Sequence, residues 1–251
     1  MRICCAQISQ MYEDIDTAFA RAEEYLASAD ADMVVFSEQY ATGWRPAASA
    51  ADAEGIKARW ISMAKEYHTC IVGSYQKPAG DKPQNVMLVV SPEGEVLAEY
   101  AKMHLFTPGG EDDAFSSGSD AVCFEYGGMK FGCAICFDLR FPEVFREYLR
   151  LGAHCVIVQA AWPAARVADW ELLLRARALE NRGYVIGCNC IGYDDVRGVD
   201  YPGRSLACDF EGRVIEDAGV FEGGLEWDCV CEDVVCGVEE IRERWGIKTF
   251  S

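Results

Sequence analysis

Three β-hairpin patterns break an otherwise regular alternation of strands and helices, and they limit the fold more than any other feature of this chain. NVMLVVSPEGEVLAEYAK (85–102) sets two β-like runs around Pro-Glu-Gly, AVCFEYGGMKFGCAI (121–135) does the same around Gly127-Gly128, and SLACDFEGRVIE (205–216) forms a third. Between them, RICCAQI (2–8), DMVVF (32–36), TCIVGSY (69–75), HCVIVQAA (154–161) and YVIGCNCIG (184–192) read as strands. Helical spacing marks 12–29 through Ile15, Ala18, Phe19, Ala22 and Leu26, and helices are also expected over 55–67, 142–151 and 169–182. In the last of these, Leu172, Leu173, Ala176 and Leu179 form the apolar stripe, Glu171 and Arg175 are spaced to pair, and Gly183 ends the helix. Parallel strands need long crossovers, so three hairpins exclude a purely parallel doubly wound sheet and point to a layered α/β fold with mixed sheets. With 251 residues and no linker or repeat, one domain over 1–251 is expected.

A net charge of −18 argues against a nucleic-acid partner. The start, MRICCAQISQ, lacks the apolar run of a signal peptide, and no stretch has the length of a membrane span, so a cytoplasmic protein is expected. Thirteen cysteines in such a chain read as reduced thiols, most of them small core residues; Cys4, Cys5, Cys155, Cys188 and Cys190 all fall in β-like runs.

Three apolar runs each end on one reactive side chain followed by irregular chain: Glu38 after DMVVF, Lys102 after VLAEYA, and Cys136 after KFGCAI. Residues at strand ends are held by a rigid sheet and can face a cleft. Their chemistries interlock, because a thiol attacking a carbonyl needs a proton acceptor and a group to hold the oxyanion. A carboxylate and an ammonium supply these, the ammonium also favouring thiolate, and the Phe137 N–H beyond the nucleophile offers a second oxyanion donor. A Cys136–His104 dyad is the alternative, since His104 lies two residues past Lys102; His68 and His154 read as structural. Cys133 and Cys136 have CxxC spacing, but Cys133 lies inside a strand-like run rather than at a helix N-terminus, so it reads as packing. No paired CxxC units suggest a metal site, and no cofactor motif is present.

SEQYATGW around Glu38, YAKMHLF around Lys102 and CFDLRFPE from Cys136, in this order, resemble the nitrilase superfamily of carbon-nitrogen hydrolases. The resemblance continues through AAWP (160–163), LLRARALENRGYVIGCNCIG (173–192) and YPGRS (201–205), and within the superfamily it is nearest the omega-amidase branch. It implies an α-β-β-α sandwich of the nitrilase type that forms four layers on association. It also implies a Glu38–Lys102–Cys136 triad, a cysteine thioester, no cofactor and no metal. A second family glutamate falls at Glu111, where it would orient the substrate amide and assist the lysine. The partner implied is a small-molecule amide, and members form homodimers or larger homo-oligomers. An apolar stripe in 232–250 (Val234, Val235, Val238, Ile241) either crosses to such a partner or packs at home.

Tyr40, Trp44, Phe137 and Trp162 adjoin these motifs and are candidates for the substrate pocket, core packing being the other reading. A distal carboxylate would call for Arg45 or Arg166, while Arg140 is expected to pair with Asp138 or Glu143. RVADW (166–170), with Ala168 and Asp169, departs from the branch pattern and bears on the acyl group. Other superfamily amidases or carbamoylases, an idle scaffold, and a cysteine-rich redox or metal protein are the competing classes.

Overall fold

In the computed structural model, residues 1–9, 14–43, 52–195 and 197–249 are described. The elements run β1 (Arg2–Gln7), α1 (Ile15–Ser28), β2 (Met33–Phe36), α2 (Ala53–Glu66), β3 (Cys70–Lys77), β4 (Gln84–Val90), β5 (Val96–Ala101) and a single turn α3 (Glu111–Ala114). The second half runs β6 (Cys123–Tyr126), β7 (Met129–Ile135), α4 (Pro142–Arg150), β8 (Cys155–Ala160), α5 (Val167–Asn181) and β9 (Tyr184–Asn189). It ends with β10 (Ile191–Asp194), β11 (Val199–Pro202), β12 (Leu206–Cys208), β13 (Val214–Asp217), β14 (Gly223–Asp228) and α6 (Cys231–Arg244).

Two six-stranded sheets result, ordered β14-β1-β2-β3-β4-β5 and β13-β12-β9-β8-β7-β6. Each has three parallel strands at its centre, β1-β2-β3 or β7-β8-β9, flanked by antiparallel strands. The three expected hairpins are β4-β5, β6-β7 and β12-β13, and they are what makes both sheets mixed. Five strands of each sheet, β1 to β5 and β7-β8-β9-β12-β13, follow one topology, while the sixth strand of the first sheet, β14, arrives from the far end of the chain. Alternate residues of the central strands, among them Cys5, Val35, Val72, Cys133, Ile157 and Cys188, pack between the sheets. The opposite faces bury Phe19, Phe36 and Trp60 under α1 and α2, and Tyr148, Val158 and Trp170 under α4 and α5, completing an α-β-β-α sandwich. Matching glycines admit the two tryptophans: a Cβ on Gly73 of β3 would lie 2.8 Å from the Trp60 ring, and one on Gly187 of β9 2.5 Å from that of Trp170.

Several expectations shift for local reasons. α1 begins at Ile15 because the Asp14 carboxylate caps it, accepting from Thr17 N at 3.0 Å. In α5 the buried face is Trp170, Leu174, Arg177, Ala178 and Asn181, while Leu172 and Leu179 are exposed. That helix carries apolar residues around its circumference, so its spacing does not select a face; the docking of Trp170 over Gly187 does. Glu171 pairs with Arg204 at 2.8 Å rather than with Arg175, which donates to Gly212 O, and Arg182 rather than Gly183 takes the left-handed cap, at φ 47°. β14, absent from the sequence reading, adds antiparallel to β1. α6 packs on its own chain: Val234 and Val238 are buried, and the Arg242 guanidinium donates to Asn181 O and Ala153 O at 3.2 and 2.7 Å. Among the described residues no helix is long and apolar enough to cross a membrane.

Candidate active site

The ends of β2, β5 and β7 converge where the two sheets face each other, and they bring Glu38, Lys102 and Cys136 to the floor of one cavity of about 400 Å³. Gln159, at the end of β8, ties the sheets together there by donating to Phe36 O and Val72 O at 2.7 and 3.0 Å. Beyond β2 the chain turns sharply, with Gln39 at φ 50° and Gly43 N bonded to Gln39 O at 2.8 Å. Glu38 is 1% exposed, and its Oε2 accepts from Ala161 N at 3.1 Å. Lys102 is equally buried and continues the β4-β5 ladder through its own N–H to Asn85 O at 2.9 Å. Its Nζ donates to Glu38 Oε1 at 2.8 Å and to Glu111 Oε1 and Oε2 at 3.0 and 2.8 Å. Glu111, placed by the left-handed Gly110 (φ 75°), also accepts from Phe106 N at 2.6 Å. It stands behind Lys102 and is not part of the cavity wall.

Cys136 leaves β7 at φ 47°, a left-handed conformation that costs a non-glycine residue about 1–3 kcal/mol and persists only where the surroundings enforce it. Asp138 is the clamp. Fully buried, it accepts from Ile135 N (3.0 Å), Tyr100 Oη (2.7 Å) and His104 N (2.8 Å), joining the cysteine turn to the segment after Lys102. His104 Nδ1 lies 3.0 Å from Asp138 Oδ1 and its ring stacks on Phe141 at 3.7 Å, so this histidine is engaged by Asp138. Cys136 is half-buried and faces the cavity, whereas Cys133 is fully buried between the sheets.

Burial pushes the Cys136 thiol well above its ordinary range; Glu38 adds to this by its charge and by a hydrogen bond, as does the charge of Glu111, and Lys102 only partly opposes them. This balance favours the thiol form of Cys136 over the thiolate that a lysine neighbour alone would favour. For Lys102, burial acts to release the proton, but Glu38 and Glu111 outweigh it and hold the ammonium above its ordinary value. Burial raises the Glu111 carboxyl against the pull of Lys102.

Phe137 and Trp162 line the cavity. Tyr40 does not: its ring packs with Phe36 and Trp60 on the outer side of the first sheet, and its hydroxyl donates to Ala18 O at 2.9 Å. Trp44 and Arg45 lie outside the described residues. At the mouth, Arg166 is exposed with its guanidinium 5.1 Å from the Phe106 ring centre. Arg140 pairs with Asp169 at 2.6 Å, not with Asp138, which the clamp occupies, nor with Glu143. The β10-β11 ribbon closes one side through Arg197 and Tyr201. Neither that ribbon nor Asn85, whose Nδ2 donates to Glu38 Oε1 and Glu111 Oε1 at 2.8 and 3.1 Å, was singled out from the sequence. The one signal for Asn85 is a polar residue opening the apolar run of β4.

A family model described as carbon-nitrogen hydrolase matches residues 2–229. A 2-oxoglutaramate amidase of Bacillus subtilis (strain 168) is 34% identical over 228 residues, covering 88% of this chain and 87% of that protein. Omega-amidase YafV of Escherichia coli (strain K12) is 33% identical, covering 74% and 72%. Among solved structures, a variant of the amidase from Nesterenkonia sp. AN1, with acrylamide added at the active-site cysteine, superimposes with a TM-score of 0.86 at 25% identity, covering 98% of this chain and 99% of that one.

Proposed function

This chain belongs to the carbon-nitrogen hydrolase family, and from that premise we propose that it is an omega-amidase, releasing ammonia from dicarboxylic acid monoamides such as 2-oxoglutaramate or succinamate. The observation that carries the acyl group is the mouth of the cavity. In a chain of net charge −18, the thiol is overlooked by arginine side chains, and Arg166 makes no ion pair with a described residue. A guanidinium there suits a carboxylate at the far end of a short acid.

In this reading Glu38 takes the Cys136 proton as sulfur bonds to the amide carbon, and Lys102 and the Phe137 N–H hold the carbonyl oxygen as it gains the electron pair. Collapse breaks the C–N bond; Glu38 returns its proton to the nitrogen, ammonia leaves, and a thioester remains. Water then gives a proton to Glu38 and its oxygen to the acyl carbon, releasing the acid and restoring the thiol. A protonated resting thiol beside a carboxylate is the starting state that general-base activation requires. Glu111 keeps Lys102 in place from behind, and Phe137 and Trp162 pack the acyl chain. Leu172 and Leu179 lie exposed seven residues apart on one side of the outer helix α5, and in this reading that side meets a second copy in a homo-oligomer, which light scattering would read directly.

The test compares succinamate with butyramide, which has the same carbon count and no terminal carboxylate, in wild type, Cys136→Ala and Arg166→Met. We expect succinamate turnover lost in Cys136→Ala. In Arg166→Met we expect its KM to rise about ten- to a hundredfold, the worth of one charge-assisted hydrogen bond, with butyramide unaffected. Equal turnover of both amides by the wild type would reject the dicarboxylate reading and favour an amidase of a different acyl group.

A further inference from the structure

The floor of the cavity holds an imbalance that the triad does not resolve. Two carboxylates, Glu38 and Glu111, are buried to 1% and 0% exposure around a single ammonium. Two like charges sharing one cation in a dry site cannot both stay ionised unless neutral donors make up the deficit. Two of those donors are backbone groups, Ala161 N for Glu38 and Phe106 N for Glu111, and each serves one carboxylate. Asn85, a neutral side chain, serves both. Its Nδ2 lies 2.8 Å from Glu38 Oε1 and 3.1 Å from Glu111 Oε1, the same two atoms that Lys102 Nζ reaches at 2.8 and 3.0 Å. The amide is 1% exposed, and its own Oδ1 has no hydrogen-bond partner among the described residues. A buried acceptor left unsatisfied costs stability, so the amide is turned to present its donors to the carboxylates at the expense of its oxygen.

We propose that Asn85 is a positioning residue for Glu38: by donating to Glu38 Oε1 and Glu111 Oε1 at once it holds both carboxylates around the single lysine and keeps Glu38 aimed at Cys136. The inference rests on the reading of Glu38 as the base for Cys136. The other ionisable groups around Glu38 are Lys102 after β5, Glu111 of α3, Cys136 after β7, and Cys190, whose own thiol feels the charge of Glu38. Asn85 adds to these a donor that carries no charge and does not titrate.

Leucine matches asparagine in shape and removes both donors. Aspartate is isosteric too: protonated, it can donate one O–H, and ionised, it adds a third carboxylate to the floor. The readout is the rate of Cys136 alkylation by iodoacetamide against pH, followed on the Cys136 peptide by mass spectrometry, so it depends on no assumed substrate. Thermal unfolding of each variant excludes misfolded protein. We expect Asn85→Leu to slow alkylation about ten- to a hundredfold and to move its acidic limb about one pH unit upward, since a carboxylate that loses a donor protonates more readily. We expect Asn85→Asp to fall steadily further behind wild type as pH rises. A merely structural Asn85 would scale the rate without moving either profile, and that result in folded protein overturns the proposal. Glu38→Gln separates the two layers. If it slows alkylation while both Asn85 variants behave as wild type, only the role of Asn85 is lost. If it leaves the rate unchanged or raises it, as loss of a charge that opposes the thiolate would, Glu38 is not the base and both readings fall.

Discussion

Strand β5 carries two three-charge clusters that are inversions of one another. Lys102, just past its end, sits between Glu38 and Glu111; Glu99, three residues earlier, sits between Lys57 and Lys77, accepting from both at 2.6 Å. Both clusters are tightly made, and they differ in where the pleat sends them. Glu99 points outward toward α2, with partners that keep 25% and 45% of their side-chain exposure, whereas the Lys102 cluster lies at the junction of the two sheets at 0–1%. Water screens the first, so its charges do little beyond pinning strand to helix. Little water screens the second, so its surplus of carboxylates adds to burial in pushing the neighbouring Cys136 thiol above its ordinary range. The arrangement of charges is shared; burial sets them apart.

The largest effect should come from breaking the function of the inner cluster while sparing the outer one. Cys136→Ala or Glu38→Gln should lower amidase kcat about ten-thousandfold or more, the scale seen when a nucleophile or its base is removed. Glu99→Gln should leave kcat within about threefold. Steady-state ammonia release from succinamate measures all three; a Glu99→Gln loss approaching that of Glu38→Gln would show that the two clusters are coupled along β5.

Stability should separate them next. Lys102→Met leaves two carboxylates buried without their cation and should cost about 3–5 kcal/mol in urea unfolding, whereas Lys57→Met or Lys77→Met should cost about 1 kcal/mol or less. The Lys102 ammonium is held above its ordinary value, so the sign is fixed: its contribution is complete below about pH 10.5 and is lost only as pH rises through the raised value. Equal losses from Lys102→Met and Lys77→Met would mean that burial does not distinguish the clusters.

The same contrast explains what could be read in the sequence. Glu38, Lys102 and Cys136 were legible because each ends an apolar run, and a strand end is a position that order along the chain defines. The mixed sheets were legible because hairpins announce themselves locally. Partnerships made across elements were not. Asp169 reaches Arg140 from the next helix, and Asn85 serves two glutamates from other segments; no local pattern encodes either. Tyr40 follows Glu38 by two residues, yet the turn at Gln39 throws it onto the opposite face, so nearness in sequence misassigned it to the pocket. α5 was given the wrong buried face because its apolar residues encircle it, and only the gap over Gly187 decides the rotation.

The smallest effect is the acid response of the outer cluster, and it tests whether that cluster does anything at all. Burial alone would raise the Glu99 carboxyl, but hydrogen bonds from Lys57, Lys77 and Tyr75 outweigh it and hold the group down at about 2. A carboxylate depressed in the folded state contributes stability above its ordinary value of 4.5, and that contribution drains away as pH falls from there toward about 2. Discounted for the solvent that reaches Lys57 and Lys77, it should amount to about 1 kcal/mol. Urea unfolding near neutral pH should therefore show Glu99→Gln slightly less stable than wild type. The two curves should approach each other as the medium is acidified, and the gap should also narrow in high salt. A gap that stays constant to low pH would assign the loss to packing of the side chain against Tyr75, leaving the inner cluster as the one of the pair whose charges matter to the fold as well as to the chemistry.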